Sequence, residues 1–247
     1  MYLMDVERKG PMSTARGVLR IAVGIVALTL MAPASGRCAG SAITLYGGLF
    51  GNKDYVQGWE GVQGSFGVHD YVSLLARVTG VHIIDSDRFH EGHSGIGEGG
   101  LGFHVAPNTT IEVLGGSYFG EIYDPIVDGD FSTAQLIGDR WLYLYVAGLY
   151  GFESNRWQAT GYLSTPISDP SKDCVLFAGV ETIIYNEGQL RRDDDFVRNP
   201  NHDDVKFQVG PVLGVYKRSW DAGLRLGVGG GDYGVYGTMS LWKTFAL

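Results

Sequence analysis

The sequence predicts an all-β protein: a transmembrane antiparallel up-and-down β-barrel of twelve strands, preceded by a cleavable leader. Three observations carry that prediction. The first is strict period-two patterning, which marks strands with one apolar face because side chains alternate across a strand. Val205, Phe207, Val209, Pro211, Leu213 and Val215 fall on one face, against Lys206, Gln208, Gly210, Val212, Gly214 and Tyr216 on the other. Leu224, Leu226 and Val228 continue it against Arg225 and Gly227, and Val235, Met239, Leu241 and Phe245 against Tyr236, Thr238, Ser240 and Trp242. The second is the make-up of the other face. Water would favour a dense cover of Lys, Glu, Thr and Asn, but the positions hold Gly, Ser, Thr and Tyr with isolated charges. Small residues with sparse charge suit the confined, polar lumen of a narrow membrane barrel. The third is the even spacing of short turn clusters, the mark of a meander.

The twelve predicted strands run over 43–51, 58–68, 71–84, 95–105, 110–120, 128–138, 141–152, 156–166, 174–186, 205–217, 221–230 and 234–246. The sixth has the weakest pattern; it is included partly because single-chain bacterial barrels have even strand numbers and both termini on one side. With it in place, the short turns at 69–70, 106–109, 138–140, 168–173 and 218–221 gather at one end. The longer connections at 84–94, 121–127 and 187–204 gather at the other. A ten-stranded barrel, with the first or sixth segment outside the wall, is the alternative. Trp59, Trp141, Trp157 and Trp220 lie near strand ends, with Tyr71, Tyr118, Tyr185 and Tyr233. Amphipathic rings at that height match the girdles of membrane barrels.

With 247 residues, 45% of them hydrophobic, the chain has material for one domain. Its 38 glycines are about twice the usual share. The start differs from the rest. Arg8, Lys9, Arg16 and Arg20 precede the apolar run from Ile21 to Met31, which ends in Ala32-Pro33-Ala34. A basic region, a short apolar core and an A-x-A site make a secretory signal peptide. The run is too short for a bilayer, which takes roughly 20 residues. The expected division is therefore signal peptide 1–34 and barrel domain 35–247, with Ala42 as an alternative cleavage point. The leader carries four basic and two acidic residues, so removing +2 from a net charge of −8 leaves −10. That balance disfavours nucleic acid as a partner.

The end of the chain resembles the terminal strand of bacterial outer-membrane β-barrel proteins, which finish on an aromatic preceded by alternating hydrophobics. Here the last residue is Leu247, with Phe245 two before it and Lys243 on the apolar face, a departure that snorkelling of the lysine accommodates. The resemblance covers nearly all of the mature chain at the level of architecture and implies an outer-membrane location with both termini periplasmic. It also implies outer-membrane lipids as the surroundings, with periplasmic chaperones and the barrel-insertion machinery as transient partners. No cofactor is expected.

Four groups of residues could carry chemistry. If the apolar faces point to lipid, Arg77, Glu98, His104, Glu112, Glu181, Lys206 and Arg225 point into the lumen. Such charges form either a structural network that ties the barrel or the lining of a solute pathway. Arg77 and Glu98, on neighbouring strands, are the expected pair. Asp85, Asp87, His90, Glu91 and His93 have donor types and spacing that could bind a metal ion. Ser94, beside His93 and Glu91, is the one cluster that hints at a hydrolase, although adjacent residues on a strand face apart. Cys38 and Cys174 could meet in a disulfide once the chain is exported. The function expected from these features is a non-enzymatic barrel, either a narrow channel for small solutes or a structural envelope protein. The alternatives are a lipid-modifying enzyme of the outer membrane and a surface-binding barrel acting through the polar 187–204 loop.

Overall fold

A computed structural model describes residues 40–52, 55–86, 92–106, 108–120, 123–186, 205–232 and 234–247. The segment expected to be a signal peptide, Cys38 and the 187–204 loop lie outside the described residues. Within them, twelve strands close on themselves: β1 (Ala42–Asn52), β2 (Tyr55–His69), β3 (Val72–Ser86), β4 (Gly92–Ala106), β5 (Thr109–Gly120) and β6 (Asp124–Ile137), then β7 (Arg140–Gly151), β8 (Trp157–Pro166), β9 (Cys174–Asn186), β10 (Val205–Lys217), β11 (Ala222–Gly231) and β12 (Gly234–Ala246). Each strand pairs antiparallel with its sequence neighbours, and β1 pairs with β12 from Ala42↔Ala246 to Asn52↔Tyr236. Closure matters physically because it leaves no row of unpaired N–H and C=O groups at an edge. The ten-stranded alternative is therefore discarded.

The sixth strand, the weakest in sequence, is a full member of the wall, paired with β5 from Thr109↔Thr133 to Tyr118↔Asp124. It begins at Asp124, four residues before the sequence reading placed it. Pro125 reads as a turn residue, yet a strand tolerates proline at its start. Asp124 holds that start in place: its carboxylate accepts the Glu153 amide at 2.9 Å and the Ser154 hydroxyl at 2.5 Å.

The apolar faces point outward. Leu45, Leu74, Val113, Val180, Leu213, Leu226 and Leu241, from seven strands, are among the exposed large hydrophobic residues. A belt of that kind has no place in water and is the surface a barrel offers to lipid. The inner face is mixed and largely filled. Leu114, Val212 and Tyr236 are almost fully buried there, as are Ser73 and Gln208. Gly48 lies on this inner face, where an added Cβ would overlap the indole of Trp59, so the ring lies flat over the glycine and takes up lumen space.

The β2–β3, β4–β5, β6–β7, β8–β9 and β10–β11 turns sit at the end where β1 begins and β12 ends. Asn108, Gly138 and Asp221 adopt positive φ there (64°, 65° and 45°), the region that Asn, Asp and Gly visit most readily. The β8–β9 and β10–β11 turns are clamped together at this end. Asp173 takes the Lys217 ammonium at 2.6 Å, the Ser219 amide at 2.7 Å and the Ser219 hydroxyl at 3.0 Å. Those donors hold its carboxyl down at about 2, below the ordinary carboxylate range, with the Lys217 contact the largest cause.

Candidate functional site: a charged lumen

The alternation that turns leucines outward turns Arg77 of β3 inward, and the neighbouring strands bring four carboxylates to it. The guanidinium reaches Asp128 and Asp130 of β6 at 2.6 Å each, Glu112 of β5 at 3.4 Å and Glu98 of β4 at 3.7 Å. Gln63 of β2 accepts from Arg77 Nε at 3.2 Å and approaches Glu112 with its own amide at 3.3 Å. Tyr145 of β7 donates its hydroxyl to Asp130 at 3.0 Å. The cluster thus links six consecutive strands, β2 to β7, through the barrel interior. Tyr46 of β1 lies beside it, in contact with Thr79.

A second, smaller group occupies the opposite wall. Arg225 of β11 pairs with Glu181 of β9 at 3.1 Å and donates to Ser240 of β12 at 3.2 Å. Its guanidinium stacks over the Tyr162 ring of β8 at 4.8 Å, a cation–π contact in a sheltered setting. Tyr162 meets Tyr143 edge-on at 5.8 Å between ring centroids. Tyr143 in turn lines a cavity of about 250 Å³ bordered by Arg77, Glu112, Asp130, Thr110 and Ser132.

Of the other sequence-derived lumen residues, His104 contacts the Ser73 hydroxyl at 2.9 Å towards the terminal end, and Lys206 sits on the inner face near the start of β10. The expected Arg77–Glu98 contact is present but long. The closest partners, Asp128 and Asp130, were missed because they fall in the segment with the weakest strand pattern. Their D-G-D spacing was the available signal, since residues two apart on a strand share a face. Glu98 Oε1 is buried with no hydrogen-bond partner.

The remaining expectations fare differently. Asp87, His90 and Glu91 lie outside the described residues, and of Asp85 only the backbone in β3 is described. Among the described residues, no group of three or more His, Cys, Asp or Glu is placed to hold a metal ion. His93 faces outward and Ser94 inward, so that pair does not share a face. Cys174 is a free, exposed cysteine at the start of β9.

No protein-family model matches the chain, and no curated protein sequence matches it. Solved structures do. An outer-membrane channel from Pseudomonas putida F1 superposes with a TM-score of 0.54 at 12% identity, covering 87% of this chain and 100% of that one. LpxR from Salmonella typhimurium superposes with a TM-score of 0.51 at 11% identity, covering 83% of this chain and 100% of that one. At such identities the likeness is one of fold. This chain is built as a closed, twelve-stranded antiparallel β-barrel, a fold similar to that of these outer-membrane proteins.

Proposed function

We propose that this protein is a non-enzymatic barrel of the bacterial outer membrane that acts as a narrow, cation-preferring channel for small solutes. In this reading residues 1–34 are a signal peptide removed on export. Both termini and the short turns face the periplasm, and the longer loops face the cell exterior. Outer-membrane lipids surround the apolar belt, and periplasmic chaperones and the insertion machinery act during assembly. The carrying observation is the imbalance around Arg77: one guanidinium among four carboxylates within 3.7 Å. A network that only ties a wall together is best balanced, because an unpaired charge in a dry interior is costly. An excess of carboxylates is tolerated where water, protons or mobile cations reach them, and rings of carboxylates favour cations in a pore. The cavity beside Arg77 supplies room for such species.

A second reading is a closed structural barrel, favoured by the near-complete burial of Leu114, Val212 and Tyr236 on the inner face. Single-channel recording in planar bilayers separates the two. The channel reading expects small conductance steps with a reversal potential shifted towards the cation, reduced in Asp128→Asn. A folded barrel that never conducts supports the structural reading, and anion preference in the native chain overturns the charge assignment.

A further inference from the structure

The lipid-facing wall carries one cluster that a hydrophobic belt has no reason to hold. Glu60 of β2, His82 of β3 and His93 of β4 all lie on the outward face, towards the loop end of their strands. His82 and His93 are direct cross-strand partners, and Glu60 pairs with Gly80, two residues before His82. The imidazole of His82 bridges the other two groups. Its Nε2 lies 2.6 Å from Glu60 Oε1, and its Nδ1 lies 2.7 Å from Nδ1 of His93. The rings meet edge-on with centroids 4.9 Å apart. Gly80 leaves the space for this: a Cβ there would come within 2.7 Å of Glu60 Oε1 and 3.3 Å of His82 Nε2.

We propose that His82 and His93 form a bidentate site for a first-row transition-metal ion, with Glu60 orienting His82 from behind. Three features point that way. A carboxylate that accepts the N–H of one ring nitrogen leaves the lone pair on the other, and metal-binding histidines are held by that arrangement as a rule. Here Glu60 keeps the proton on His82 Nε2 and turns Nδ1 towards His93. The two Nδ1 atoms converge from adjacent strands. Metal–nitrogen bonds of about 2.0–2.1 Å in a tetrahedral site place the two nitrogens roughly 3.3 Å apart. The exposed His93 ring has to withdraw by only a fraction of an ångström to admit the ion. The donor set selects the metal class: imidazole suits zinc, copper and nickel, whereas calcium and magnesium take oxygen. When the metal binds, the proton that His93 Nδ1 gives to this contact leaves for solvent and solvent returns one to His93 Nε2, so both rings ligate as neutral imidazoles. Water or a phosphate oxygen of an outer-leaflet lipid completes the coordination.

The test uses the full mature barrel without an affinity tag, folded in detergent micelles, and titrated with Cu²⁺ and Zn²⁺. Copper electron paramagnetic resonance is expected to show two coordinated imidazoles in the native protein and one in His93→Ala. Glu60→Gln is expected to keep both nitrogens and weaken zinc binding about 10- to 100-fold, the range for loss of an orienting carboxylate. Gly80→Ala, which leaves every donor in place, is expected to weaken binding by crowding the Glu60–His82 contact. Unchanged zinc affinity in His93→Ala, or a two-imidazole copper spectrum that survives it, overturns the site. Channel recording without added metal is independent of this result, so failure here leaves the proposed function untouched.

Discussion

Replacing Asp130 with asparagine removes one charge from the Arg77 cluster while leaving the shape nearly unchanged, and the geometry sets the expected cost. Asp130 accepts from Arg77 at 2.6 Å and from the Tyr145 hydroxyl at 3.0 Å, and its side chain is 6% exposed. A hydrogen bond to a charged group contributes about 1.5–3 kcal/mol, and a neutral one about 1 kcal/mol. Asparagine can still accept from one donor, so a loss of about 2–3 kcal/mol is expected on this basis. Glu98→Gln makes a contrasting control. Glu98 is as deeply buried, but its nearest approach to Arg77 is 3.7 Å and its second oxygen has no partner. An amide there gives up little attraction and no longer holds a charge out of water, so its expected effect is within about 1 kcal/mol of zero. Urea titration of the folded barrel in lipid vesicles, followed by tryptophan fluorescence, measures both. The double variant Arg77→Met with Asp130→Asn then isolates the pair, with a coupling energy expected in the range of about 1–3 kcal/mol. Were Asp130→Asn neutral and Glu98→Gln severe, the assignment of Asp130 as a principal partner of Arg77 would be refuted.

Two further predictions address the wall and the terminal end. Leu226→Arg or Val209→Arg, on the outward face, is expected to cost roughly 2–4 kcal/mol if placed near the bilayer midplane. Ser132→Arg, beside the polar lumenal cavity, is expected to cost less in the same titration; equal costs would contradict the orientation of the apolar faces. At the turns, the lowered carboxyl of Asp173 favours the folded state whenever it is ionised. Its contribution is therefore complete above the ordinary carboxylate value of about 3.9 and is lost as pH falls towards about 2. Protection of the Ser219 amide, gauged by its exchange rate relative to the intrinsic rate at each pH, is expected to fall over that window in the native chain and to show no such step in Asp173→Asn.

Much of this architecture was readable before any coordinates, because period two is a local property. The outward set around Val209 and Leu226 and the inward set around Arg77 and Glu181 follow from parity once the strands are recognised. The sixth strand was harder for a local reason: Pro125 and the D-G-D stretch look like a turn, and only pairing with β5 and β7 shows them as wall. A strand held mainly by its neighbours leaves little trace in its own composition.

What the sequence by itself determined is the alternation, the turn rhythm and hence a closed antiparallel wall with one apolar and one polar face. What only the tertiary structure decided is which inward charges meet. Arg77 lies 51 and 53 residues from Asp128 and Asp130, and three strands of curvature bring them to 2.6 Å. The outward trio of Glu60, His82 and His93 was likewise invisible in the chain, since it depends on the registers of β2 against β3 and of β3 against β4. Parity is written along one strand, but partnership across a barrel depends on strand count, stagger and closure together, which no single segment encodes.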